Sequence, residues 1–164
     1  MTPQPDPIGP GQESVWSYPR PPVVVPSVRH VQVHFDGAIV CDTRRALRLL
    51  ETSHPPTWYL PRADFLVGSL RPTNRSSFCE WKGSASYLDV VGPDAVAVAQ
   101  AWTYPTPTPA FAQLANYVAL YASAMDGCFV DGERVRPQPG GFYGGWITDD
   151  VVGPFKGVPG SLGW

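Results

Sequence analysis

Charge is scarce in this chain, with Asp, Glu, Lys and Arg making up 16% of its 164 residues and a net charge of −2. No Lys/Arg run exceeds the pair Arg44-Arg45. That leaves no basic field to gather nucleic acid, and no nucleic-acid partner is expected. No apolar run approaches the roughly 18 residues of a membrane helix. The first ten residues carry four prolines and no apolar stretch of the kind that directs secretion. The expectation is a soluble, cytoplasmic protein with no membrane partner.

Paired cysteines are also missing. Cys41, Cys79 and Cys128 are odd in number and far apart, and no C-x-x-C spacing offers a zinc site or a redox pair. No metal and no cofactor are expected, and the simplest reading of each thiol is a small buried core residue. The phosphate-cradling P-loop, the glycine fingerprint of dinucleotide binders, the H-E-x-x-H zinc helix and the G-x-S-x-G nucleophile elbow are absent too.

What the chain does have is proline (20), glycine (16) and aromatic rings: seven Phe, six Trp and seven Tyr. The rings supply too much buriable surface for general disorder, and the length suits one domain. Residues 1–14 read as a disordered Pro/Gly-rich leader, and 15–164 as a single folded domain. The run Tyr18-Pro-Arg-Pro-Pro-Val-Val-Val-Pro26 must be extended, because closely spaced prolines forbid helix.

Val31, Val33 and Phe35 alternate with polar residues before Asp36-Gly37, which predicts a β-hairpin; Asp131-Gly132 predicts another. A helix is expected from about Thr43 to Thr52, capped by Asp42, with Ala46, Leu47 and Leu50 on one side. Strands are expected at Thr57–Leu60, Phe65–Leu70, Phe78–Lys82, Ser84–Val91 and Ala95–Tyr104. A second short helix is placed near Ala110–Asn116, and the glycine- and aromatic-rich tail is expected to close over the sheet. The fold class is mainly β, with a minor α+β character: antiparallel sheets and two short helices.

Four clusters could carry chemistry. Glu51 and His54 stand three residues apart at the end of the first expected helix, where an acid and an imidazole could exchange a proton in a cleft. The competing structural role pairs Glu51 with Arg44 or Arg48 at helical spacing. Cys79-Glu-Trp81-Lys82-Gly83 leads on to Tyr87, and Lys82 could hold an anionic group between the two rings. In a straight strand Cys79 and Trp81 face away from Lys82, so a shared pocket requires the chain to bend at Gly83. Trp102 and Tyr104 precede a proline-rich loop, a common binding rim. Gly140-Gly-Phe-Tyr-Gly-Gly-Trp146 lacks the helix spacing of a phosphate site.

Several strings together resemble the bacterial domain-of-unknown-function family 427: Tyr18-Pro-Arg-Pro-Pro, Val40-Cys-Asp42-Thr43, Leu50-Glu51 with His54-Pro55-Pro56, Tyr59-Leu-Pro61, Cys79-x-Trp81-Lys82-Gly83-x-Ala85-x-Tyr87, Ala101-Trp102-x-Tyr104 and Val130-Asp-Gly132. The resemblance spans roughly Val15 to Trp164, with Glu80 and Ala122 standing where the family more often has proline. It implies a β-tent-like architecture, similar to the ligand-binding domain of cereblon and to methionine sulfoxide reductase B. The zinc of that group does not carry over, because its paired cysteines are absent. The family has been grouped with nucleotidyltransferases, yet neither paired carboxylates for Mg²⁺ nor a phosphate cradle is present.

The leading expectation is a small-molecule binding or catalytic domain whose polar cleft is walled by aromatic rings. Glu51, His54 and Lys82 are its candidate catalytic groups, and Tyr59, Cys79, Trp81, Tyr87 and Trp102 its candidate ligand contacts. The alternatives are a non-enzymatic interaction module, holding a partner or a second copy in a homo-oligomer, and a nucleotidyltransferase-like enzyme.

Overall fold

The computed structural model describes residues 2–164, so Met1 of the expected leader lies outside the described residues. The fold is mainly β, built from antiparallel sheets and one short parallel pair. A four-stranded sheet has the order Glu133–Arg134, Gly127–Val130, Val31–Phe35, Ala38–Thr43. Both expected hairpins are there. Asp36 and Gly37 take φ of 52° and 75°, and Asp131 and Gly132 take 50° and 82°, the left-handed pair that a two-residue turn needs to match strand twist.

The larger sheet has seven strands, ordered Val23–Pro26, Leu47–Leu50, Thr57–Pro61, Tyr117–Leu120, Val96–Thr103, Gly83–Val91 and Leu70–Cys79. Its side chains alternate between two environments, as the two-residue period of a strand requires. Trp58, Leu60, Leu88, Ala101, Val118 and Leu120 join Val31, Val33 and Val40 of the smaller sheet in the main core. Their neighbours Tyr59, Tyr87, Trp102, Ala119 and Tyr121 emerge on the other face, in a second cluster rich in rings. Thus the sheet has one mainly aliphatic face, with Trp58 among its residues, that holds the two layers together, and one face rich in aromatic rings.

Four expected elements differ. The helix over 43–52 is instead the strand Leu47–Leu50, which buries Leu47 and Leu49 in alternation and pairs with Val23–Pro26 on one side and Thr57–Pro61 on the other. The expected strands Phe65–Leu70 and Phe78–Lys82 give way to one long strand, Leu70–Cys79, and a turn at 80–82. The second expected helix is a 3-10 helix, Pro109–Leu114, anchored by buried Phe111 and Leu114.

The tail is integral to the fold. Trp146, 1% exposed, stacks on Trp58 with ring centres 6.2 Å apart, and its backbone N donates to Pro56 O at 2.8 Å. At the other end, Glu13–Ser14 pairs in parallel with Val151–Val152. Asp6 N donates to Gly153 O, and Gln12 Nε2 to Asp149 O. Among the described residues, no helix is long and apolar enough to cross a membrane.

Candidate functional site

The aromatic face of the large sheet floors a cavity of about 410 Å³, and the tail supplies its opposite wall. Glu51, His54, Tyr59, Cys79, Trp81, Lys82, Tyr87 and Trp102 all line it. The structure therefore gathers all eight candidate catalytic and ligand-contact residues around one concavity. Strand alternation delivers Tyr59, Tyr87 and Trp102 from the sheet, and two turns deliver the rest.

The first turn runs from Cys79 to Gly83. Cys79 pairs with Gly83 across the hairpin, and Gly83 takes φ of 104°, a conformation that side-chain-bearing residues rarely adopt. The bend needed to bring Trp81 and Lys82 to one pocket is present. The proline-rich loop pins it: Thr108 Oγ1 donates to Trp81 O at 2.6 Å, and Thr108 N to Lys82 O at 3.0 Å. Lys82 is half-buried, with Nζ 5.4 Å from the centre of the Tyr104 ring, and no carboxylate among the described residues lies within salt-bridge distance of it.

The second turn carries Glu51 and His54. Ser53 sits at φ of 73°, its N donating to Val15 O and its O accepting from Lys156 N at 2.9 Å. Glu51 lies 3.6 Å from Arg20 and 3.6 Å from Nε2 of His54, beyond hydrogen-bond reach of the ring. Arg44 and Arg48 are not its partners; Arg48 pairs with Glu13 and Arg45 with Asp64.

The tautomer of His54 follows from its neighbour. Gln138 Oε1 accepts from Gly145 N at 3.0 Å and its Nε2 donates to Lys156 O at 2.9 Å, which fixes which end of the amide is nitrogen. The same nitrogen lies 3.0 Å from Nδ1 of His54, so Nδ1 accepts and the ring's own hydrogen is on Nε2. Burial, reinforced by the charges of Lys156, Arg20 and Lys82, pushes the His54 pKa down to about 4. At neutral pH the ring is uncharged and presents an N–H.

The rings form a continuous lining. Trp102 packs on Tyr121 with centres 4.8 Å apart and donates Nε1–H to the Tyr59 hydroxyl at 3.4 Å. Tyr143 meets His54 edge-on at 4.8 Å, and Tyr87 shares a 3.0 Å hydrogen bond with Ser77. Burial raises the pKa values of Tyr59 and Tyr104, so both stay neutral phenols. Cys79 is a free, half-buried thiol at the rim.

Gln138 and Tyr121 belonged to no cluster read from the sequence, and Tyr143 and Lys156, in the glycine-rich tail, were read as part of a closing tail rather than as site residues, although each lines the cavity. The repeated glycines of the tail were the available signal. A Cβ on Gly144 would stand 2.2 Å from the Trp102 ring, and one on Gly145 would stand 2.6 Å from Pro55 O. These glycines let the tail backbone lie directly on the site.

Among the described residues, no group of three or more His, Cys, Asp or Glu is placed to hold a metal ion. The arrangement offers instead an ammonium, an imidazole N–H and a carboxylate at the edge of an aromatic slot. A search of curated proteins finds no match. A family model described as "Domain of unknown function (DUF427)" matches residues 23–131, a span that holds all eight of the residues singled out but not the tail wall. Covering well over half of its length, that match places the chain in the DUF427 family.

Proposed function

We propose that the aromatic cavity is a binding site for a small, flat organic molecule, seated between Trp102, Tyr121 and Tyr87 with its polar end toward Lys82 and His54. What supports this reading is the convergence of three separate chain segments, 51–59, 79–87 and 138–156, on one 410 Å³ concavity, a size suited to a metabolite. Aromatic walls with a few fixed polar groups at one end hold a ligand by stacking and orient it by hydrogen bonds. A neutral His54 beside Glu51 and Lys82 also supplies a hydrogen-bond donor for a polarised carbonyl, so the same geometry serves a catalytic version of the reading.

The three free thiols, with Cys41 and Cys128 buried in the core, fit a protein working in a reducing compartment such as the cytoplasm. Nucleotidyl transfer draws no comparable support: Glu51 and Glu80 line the cavity, but among the described residues no group of three or more His, Cys, Asp or Glu is placed to hold a metal ion.

The test is a metabolite thermal-shift screen on wild type, Lys82→Ala and His54→Ala. Compounds that raise the melting temperature of wild type should lose that effect in both variants while the variants remain folded. Hits that stabilise all three proteins equally would place binding elsewhere.

A further inference from the structure

The ligand's charge is legible in the site, and the inference rests on the binding role proposed above. Lys82 is half-buried against the Tyr104 ring with no salt-bridge partner among the described residues. His54 offers Nε2–H into the same cavity, and its side chain is only 12% exposed. Glu51, the nearest carboxylate to that hydrogen, stays at 3.6 Å and is turned also toward Arg20.

The charges facing His54 are therefore Lys82, Lys156 and Arg20 against Glu51, with Glu80 at the rim. Lys156 is engaged by the Trp164 carbonyl at 3.1 Å, and Arg20 by the Thr52 carbonyl and Glu51. This leaves, beside the aromatic lining, one ammonium whose neighbour is the neutral Tyr104 phenol rather than a carboxylate, and one neutral N–H with no acceptor within hydrogen-bond distance among the described residues. A half-buried cation without a counter-ion is costly unless something supplies the negative charge.

We infer that the occupant is a planar organic anion, an aryl or conjugated carboxylate or its phosphonate equivalent. Its charged group lies between Lys82 Nζ and His54 Nε2, and its flat body on Trp102. A cationic ligand would meet Lys82 head-on. A neutral ligand would leave the ammonium unpaired.

Benzoate, phenylphosphonate, benzamide and benzylamine share one ring and differ in charge, and the indole N–H resonance of Trp102, assigned with Trp102→Phe, reports occupancy of the cavity. In ¹⁵N-resolved NMR titrations, benzoate or phenylphosphonate should shift that resonance at lower concentration than benzamide, and benzylamine should leave it unmoved. Lys82→Met should weaken the anion about tenfold or more, in line with loss of one charge-assisted hydrogen bond, without changing benzamide; Lys82→Arg should restore much of the difference. Equal binding of benzoate and benzamide, or a preference for benzylamine, would overturn the anion assignment while leaving the cavity a binding site. If none of the four moves Trp102, the binding role itself fails and the charge assignment with it.

Discussion

Gln138 and His54, 84 positions apart in sequence, meet through a 3.0 Å hydrogen bond from Gln138 Nε2 to His54 Nδ1, and this contact ties the tail to the turn that carries the candidate polar groups. The bond dictates a neutral imidazole with its hydrogen on Nε2. Long-range ¹H–¹⁵N spectra at pH 7 should show that single tautomer. Gln138→Leu should lose it and broaden the Tyr143 and Phe142 signals, because Gln138 also holds Gly145 N and Lys156 O. An Nδ1-protonated ring in wild type would contradict the arrangement.

The lowered pKa of His54 makes stability depend on pH in a definite window. The unfolded chain takes up this proton near 6.5 and the folded protein only near 4. Between those values the unfolded state binds more protons, so stability falls as pH is lowered through the window and this loss levels off below about 4. The full contribution is about 3 kcal/mol. Asp42, Asp64, Asp89, Asp126 and Asp131, all held below the ordinary carboxylate range by hydrogen bonds, add a further loss at lower pH. Urea unfolding at pH 7 and at pH 4.5 should show the first loss in wild type and little of it in His54→Gln. Identical losses would place the titrating group elsewhere.

Gly144 is where the tail touches the aromatic floor. Alanine there would set a methyl group 2.2 Å from the Trp102 ring, so one of the two must move. Gly144→Ala should cost about 1–3 kcal/mol, the range for overpacking, and should shift the Trp102 indole resonance. Gly141→Ala serves as a comparison: its Cβ meets nothing within 4 Å, and the cost there is confined to the backbone strain of a φ of 72°. A larger loss at Gly141 than at Gly144 would contradict the close approach.

At the other end of the chain, Glu13 accepts hydrogen bonds from both Tyr18 and Arg48, whose side chain is 16% exposed. Residues 2–12 are mostly exposed and reach the body through a few hydrogen bonds to the tail. Deleting residues up to Gly11 should leave the melting temperature within error, while Glu13→Ala should cost about 1–3 kcal/mol by leaving Arg48 short of a partner. A drop on deletion as large as that of Glu13→Ala would show that the leader docks along its length.

Local pattern carried much of the fold and most of the cavity's candidate residues. Val31, Val33 and Phe35 alternate so cleanly that strand and buried face follow from the residues alone, and Asp36-Gly37 marks the turn. Leu47-Arg-Leu-Leu50 is too short to separate the two periods: Leu47 and Leu50 fit a helix face, and Leu47 and Leu49 fit a strand. What decides is the pairing with Val23–Pro26 and Thr57–Pro61, a non-local fact that no window of residues contains. The candidate residues that line the cavity stood out in the sequence because rings and rare charges are conspicuous against a weakly charged background. Gln138 did not, because its meaning lies in three partners, Gly145, Lys156 and His54, that only the folded tail assembles.

The central claim, that the aromatic cavity is the working site of this protein, is met most directly by a crystallographic soak with a fragment library. Bound fragments should concentrate in this one cavity, with rings stacked on Trp102 or Tyr121 and acceptor atoms within hydrogen-bond distance of Lys82 Nζ or His54 Nε2. Fragments gathered on another surface, with density in this cavity no different from that of unsoaked crystals, would contradict it.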